Sequence, residues 1–158
     1  MLRGGANLES GTLGSTGSSV LRQTPNNHQF QSMGKTVLIA DDSASMRLSV
    51  RMLLEGRHTG LRVREAIDGI DAVEKAKAFR PDLILLDLAM PRLNGAEAAA
   101  VLKNDMPETP VILFTLTDLP IDFLCAAIDV DFISKADGVS KLLERVDALL
   151  PPTASNEG

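Results

Sequence analysis

Three unbroken apolar runs constrain this chain most: Val37–Ala40, Leu83–Leu86 and Val111–Phe114. Each has the length of one strand, and none alternates with polar residues. A strand without alternation is buried on both faces, the habit of a parallel sheet covered by helices on either side. A fourth run, Val130–Ile133, is interrupted by Asp131, and Leu61–Ala66 alternates in the manner of an edge strand. Helical patterns lie between the runs. Met46, Val50, Leu53 and Leu54 share one helical face, with Gly56 as a stop signal. Ile70, Val73 and Ala76 form a second face, ended before Pro81. Asn94 is placed to cap an Ala-rich third helix over Gly95–Lys103. Ile121, Leu124, Cys125 and Ile128 mark a short fourth helix behind Pro120. Val139, Leu142, Leu143, Val146 and Leu149 mark a fifth, ended by Pro151 and Pro152. Strand and helix alternate five times, which predicts an α/β doubly wound sheet.

The unusual polar residues fall at one edge of that sheet. Asp41 and Asp42 follow the first run, Asp87 the Leu83–Leu86 run, Thr115 the Val111–Phe114 run, and Lys135 the last strand. All stand at carboxyl ends of parallel strands, where open α/β sheets bind ligands. Three carboxylates at close quarters repel one another, so one must stay protonated or a cation must neutralise them. Oxygen ligands without His or Cys favour a hard divalent ion, Mg2+ first with Mn2+ as the substitute. Such an ion beside a carboxylate, with an amine and a hydroxyl opposite, suits a transferable phosphoryl group. Asp87, the central carboxylate, is then a nucleophile candidate.

Charge and cysteine content narrow the function classes. The 158 residues carry 16 Lys and Arg against 21 Asp and Glu, a net charge of −5. That balance argues against general attraction to nucleic acid. Cys125 is the only cysteine, which excludes an internal disulfide and any multi-cysteine zinc site. No apolar run approaches the roughly 18–20 residues of a membrane span, and the N-terminus lacks a secretory-signal layout. A cytoplasmic protein is expected. Residues 1–34 hold six Gly, five Ser and three charges, and read as a flexible tail. Met33 reads as an alternative start of translation. The folded unit is expected over 35–150, with a short tail over 151–158.

Four segments carry a family resemblance. They are Lys35-Thr-Val-Leu-Ile-Ala-Asp-Asp-Ser43, Pro81-Asp-Leu-Ile-Leu-Leu-Asp-Leu-Ala-Met-Pro-Arg-Leu-Asn-Gly95, Val111-Ile-Leu-Phe-Thr115 and Phe132-Ile-Ser-Lys135. In this order and spacing they resemble the receiver domain of bacterial two-component response regulators. Ile133–Asp137 resembles the nitrate-regulator type of receiver more than the Lys-Pro form. The resemblance implies a flavodoxin-like five-stranded parallel sheet of order 2-1-3-4-5 with five helices. It implies Asp87 as phosphoryl acceptor, and Mg2+ held by Asp41, Asp42, Asp87 and the main-chain carbonyl of Ala89. It implies that Thr115 and Lys135 contact the phosphoryl group. Thr115 would move toward that group as Phe132, the switch aromatic, turns inward, altering the face of the fourth helix, fifth strand and fifth helix. Two departures stand out. Leu116 occupies a position that is usually small, and is expected to shield the phosphoryl group from water. The stretch from Thr115 to Lys135 also lacks the glycine usual between fourth helix and fifth strand.

Only nine residues, Leu150–Gly158, follow the last helix, so a stand-alone switch is expected. It would take phosphate from a sensor histidine kinase or a histidine phosphotransferase and signal by protein contact, to a downstream target or as a homodimer. It would catalyse only its own phosphorylation and dephosphorylation, without direct contact to nucleic acid or membrane. Two other classes compete. A haloacid-dehalogenase-like phosphatase needs Asp-x-Asp, whereas Asp87 is followed by Leu88 and Ala89. A receiver-like adaptor that is never phosphorylated would not need the full acidic cluster. Gly34-Lys35-Thr36 mimics the end of a phosphate-binding loop but precedes its strand and lacks the first glycine, so it is rejected. Cys125 reads as a small core residue. His28 reads as a tail residue and His58 as a loop residue, neither with partners that suggest a metal or catalytic site.

Overall fold

The computed structural model describes residues 30–150. The five principal strands are β1 (Thr36–Ala40), β2 (Arg62–Ala66), β3 (Leu83–Leu86), β4 (Val111–Thr115) and β5 (Asp131–Ser134). They form one parallel sheet in the order β2-β1-β3-β4-β5. The helices are α1 (Ala44–Arg57), α2 (Gly69–Phe79), α3 (Gly95–Asp105), α4 (Asp122–Ala127) and α5 (Val139–Leu149). This is the flavodoxin-like, doubly wound arrangement expected from the apolar runs and the resemblance.

The core explains why those runs do not alternate. Leu38, Ile84, Leu86, Val111 and Leu113 face α2, α3 and α4, packing with Ala72, Ala76, Ala98, Ala99 and Leu102. Val37, Ile39, Leu83, Leu85, Ile112 and Phe114 face α1 and α5, packing with Val50, Leu54, Leu142 and Val146. Each buried Leu or Ile contributes about 2–3 kcal/mol. Side-chain caps set the helix starts. Ser43 accepts from the Met46 N–H and Asp68 from the Asp71 N–H, and Asn94 and Glu97 form a reciprocal capping box. Among the described residues, no helix is long and apolar enough to cross a membrane.

Several details differ from the sequence reading. Gly56 does not stop α1, which runs on to Arg57. Leu53 is 40% exposed, so the buried face of α1 rests on Val50 and Leu54. The last strand is shifted by one residue, to Asp131–Ser134. The glycine missing before β5 is replaced by Asp129, at φ 59°. Asp tolerates that left-handed conformation better than most side chains do.

The boundary expected at Lys35 also lies too late. Phe30–Gln31 pairs in parallel with His58–Thr59. Ser32 is buried, and its N–H donates to the Thr59 carbonyl at 2.7 Å. His58 is not in a loop but in the short strand His58–Thr59. It is fully buried, with Nδ1 2.9 Å from Ser32 Oγ and Nε2 3.0 Å from Asp147 Oδ1. Those partners lie 26 and 89 residues away in sequence, where no local pattern reveals them. Residues 1–29 of the expected 1–34 tail, with His28, and the expected tail over 151–158 lie outside the described residues.

Candidate functional site

The site is built by carrying the sheet one residue past its strands. The Asp87 N–H donates to the Ala40 carbonyl at 2.9 Å, and the Asp41 N–H donates to the Ala66 carbonyl at 3.2 Å. These bonds fix two acidic residues side by side just beyond β3 and β1. Asp41 is buried, and its Oδ1 accepts from the Ser43 N–H at 2.9 Å. Its carbonyl accepts from Arg47 Nη1 at 2.6 Å, while Arg47 Nε pairs with Glu65 at 2.9 Å. Asp42 is exposed. Asp41, Asp42 and Asp87 each present a carboxylate oxygen within 4.8 Å of the others.

Gly95 fits this corner for a steric reason. A Cβ there would lie 2.1 Å from the Asp87 carbonyl oxygen, far inside contact distance. The sequence marked Asn94-Gly95 as a turn and helix start; the close approach of backbone to backbone adds a second requirement.

Thr115 and Lys135 arrive from β4 and from the end of β5. The buried Thr115 hydroxyl donates to Asp87 Oδ1 at 2.7 Å. Lys135 Nζ donates to Asp41 Oδ2 at 2.8 Å and lies 3.6 Å from Asp87 Oδ1. It also sits 5.8 Å from the centre of the Phe114 ring, within cation–π range. One ammonium thus serves two of the three carboxylates, Asp41 and Asp87. Burial pushes the Asp87 carboxyl above its ordinary pKa, opposed by the Thr115 hydrogen bond and Lys135 and reinforced by Asp41 and Asp42. The excess of negative charge and the all-oxygen donor set fit a hard divalent cation.

Ala89, Phe132 and Leu116 complete the set of residues named from the sequence. Ala89 lies exposed in the loop after β3, two residues beyond Asp87. Phe132 on β5 pairs with Leu113 on β4 and is partly buried against the core. Thr115 touches the unmodified Asp87 in this structure. Leu116 follows Thr115 and is 68% exposed. The sequence reading missed Arg47, whose bond to the Asp41 carbonyl follows no motif spacing.

The model of the family described as "response regulator receiver domain" matches residues 37–147. The response regulator MprA of Mycobacterium sp. (strain KMS) is 33% identical over 125 residues, covering 77% of this chain and 53% of that protein. A protein-glutamate methylesterase/protein-glutamine glutaminase of Thermotoga maritima is 36% identical over 112 residues, covering 69% of this chain and 33% of that protein. The chain therefore spans about half the length of the first relative and a third of the second. Among solved structures, the response regulator domain of Thermotoga maritima CheB superposes with a TM-score of 0.66 at 29% identity, covering 75% of this chain and 98% of that one. Thermotoga maritima TrrA, solved in complex with Mg(2+)-BeF, superposes at 0.66 with 27% identity, covering 73% of this chain and 99% of that one. With a receiver fold, an acidic cluster at its carboxyl edge and a family match across nearly the whole described region, the chain belongs to the response regulator receiver domains of two-component systems.

Proposed function

We propose that Asp87 accepts a phosphoryl group in a Mg2+-dependent reaction and that the chain works as a phosphorylation switch. The observation that carries this reading is the convergence of Asp41, Asp42 and Asp87 with Thr115 and Lys135 at one corner. An Asp87 carboxylate oxygen attacks phosphorus, and the bond from phosphorus to the donor breaks. From a phosphohistidine donor that bond is P–N, and the electron pair returns to the imidazole.

Asp41, Asp42, Asp87 and the Ala89 carbonyl would hold Mg2+, which would neutralise phosphoryl oxygens as charge develops. Lys135 and the Thr115 hydroxyl supply the protein's own donors to those oxygens. Phosphorylation would convert Asp87 from a carboxylate into a larger, more highly charged group. Thr115 links that change to β4, and Phe132 on β5 lies in the neighbouring strand. The face formed by α4, β5 and α5 is the proposed contact surface. A sensor histidine kinase or histidine phosphotransferase in the cytoplasm is the proposed donor, and a downstream protein or a second copy the proposed recipient of the signal.

The test is intact-protein mass after incubation with acetyl phosphate, with and without Mg2+, on wild type and Asp87→Asn. A gain of one phosphoryl group that needs both Mg2+ and Asp87 supports the reading. Where acetyl phosphate gives no gain and a phosphorylated histidine phosphotransferase gives none either, the chain is an adaptor.

A further inference from the structure

The loop from Leu88 to Asn94 carries Ala89, and a second anchor outside the acidic cluster holds it. Arg92 Nε donates to Asp68 Oδ2 at 2.7 Å, and Nη2 donates to Asp68 Oδ1 at 3.0 Å. This is a two-point fork, the geometry in which arginine and carboxylate fix each other's orientation. Asp68 is only 4% exposed. Its carboxyl is held below the ordinary range by Arg92 first and by the Asp71 N–H second.

Three features show that the fork does more than start a helix. Capping α2 needs one acceptor, and Asp68 Oδ1 supplies it to the Asp71 N–H at 2.8 Å. The second oxygen and the pairing with Arg92 are surplus to that task. Arg92 itself has φ 69°, a left-handed conformation that a non-glycine residue keeps only where its surroundings impose it. Beside it, Gly69 lies so close to the loop that a Cβ would be 1.9 Å from the Leu93 carbonyl oxygen. The loop is therefore braced against α2 by the fork and by backbone contact.

We propose that Arg92 is a positioning residue for the divalent-cation site, acting through Asp68 to fix the loop between Asp87 and Asn94. The proposal rests on the Mg2+ site described above. Mg2+ requires near-ideal octahedral ligands at about 2.0–2.1 Å, whereas Ca2+ accepts irregular ones at about 2.3–2.6 Å. Loosening the loop therefore weakens Mg2+ binding more than Ca2+ binding. A residue with only a general structural role would not change that ratio.

The experiment is calorimetric titration of the full chain with Mg2+ and separately with Ca2+. The proteins are wild type, Arg92→Gln, Arg92→Lys, Asp68→Asn and the Arg92→Gln/Asp68→Asn double variant, each with its thermal midpoint. Asp68→Asn keeps an oxygen for the cap and removes the charge that orients Arg92. Expected are a Mg2+ affinity about 10-fold weaker in Arg92→Gln, a Ca2+ affinity changed much less, and partial recovery in Arg92→Lys. The double variant is expected to lose no more than the single ones. Unchanged Mg2+ affinity in Arg92→Gln, equal losses for both ions, or additive losses in the double variant overturn the proposal and leave the site intact. Failure of wild type to bind Mg2+ overturns the metal site and the positioning role together.

Discussion

Lys135 is bonded to Asp41 rather than to Asp87: its Nζ is 2.8 Å from Asp41 Oδ2 and 3.6 Å from Asp87 Oδ1. The ammonium thus pairs most closely with a residue of the proposed metal set while staying within ion-pair reach of the proposed acceptor. Asp87 keeps only the Thr115 hydroxyl as a close donor among the described residues. A divalent ion that engages Asp41 would compete with Lys135 for the same carboxylate and release the amine for an incoming phosphoryl group.

That competition gives Lys135→Met two opposite effects. Removing a donor to the phosphoryl oxygens lowers the phosphorylation rate, on the order of 100-fold. Removing a positive charge beside three carboxylates strengthens Mg2+ binding by about a few-fold. Stopped phosphorylation assays and calorimetry separate the two. Weaker Mg2+ binding in the variant would show that Lys135 does not oppose the cation.

Asp87→Asn is expected to stabilise the metal-free protein. The Asp87 carboxyl has its pKa raised, burial being the first cause and Asp41 and Asp42 adding to it, so its ionised form is disfavoured in the fold. The asparagine variant should melt roughly 2–6 °C higher at pH 7 without Mg2+. Added Mg2+ stabilises wild type by binding the folded state, which narrows the difference. Scanning calorimetry at several Mg2+ concentrations reads both effects.

His58 makes stability depend on pH. Burial lowers its pKa against the opposing hydrogen bond it makes to the Asp147 carboxylate, so the folded state favours the neutral ring. The unfolded chain titrates near the ordinary value of about 6.5. Stability from this group is therefore complete above about 6.5 and declines as the pH falls below it. Asp87 acts in the opposite sense, because its raised carboxyl gains a proton more readily in the fold. Urea midpoints compared between pH 7.5 and 5.5 in the Asp87→Asn background isolate the histidine. The midpoint should fall with pH there, and the slope should flatten on adding His58→Gln.

Two glycines should respond to alanine in opposite directions. Gly95→Ala drives a methyl group to 2.1 Å from the Asp87 carbonyl oxygen, at an expected cost of about 2–4 kcal/mol. Gly56→Ala meets nothing within 4 Å and lies in the last turn of α1, so a gain of about 0.5–1 kcal/mol is expected. Urea unfolding of both variants checks the pair.

Legibility in the sequence followed the range of each interaction. Val37–Ala40, Leu83–Leu86 and Val111–Phe114 announced their strands because both faces are buried, a property written locally. Asp41, Asp42, Asp87, Thr115 and Lys135 were readable because parallel strands deliver their ends to one edge. Arg47, Arg92 and His58 were not, since each acts on a partner chosen by the fold and not by spacing. What Leu116 covers is equally a matter of how the chain leaves β4, although its place after Thr115 is local.

Asp87 is the one carboxylate proposed to carry the phosphoryl group, and borohydride reduction reads out which carboxylate does. Reduction converts an aspartyl phosphate to homoserine at the modified position. The full chain would be phosphorylated with acetyl phosphate and Mg2+, reduced, digested and mapped by mass spectrometry. Homoserine at position 87 alone is the expected result. Homoserine at position 41 or 42, or phosphate held elsewhere on the chain, would contradict it.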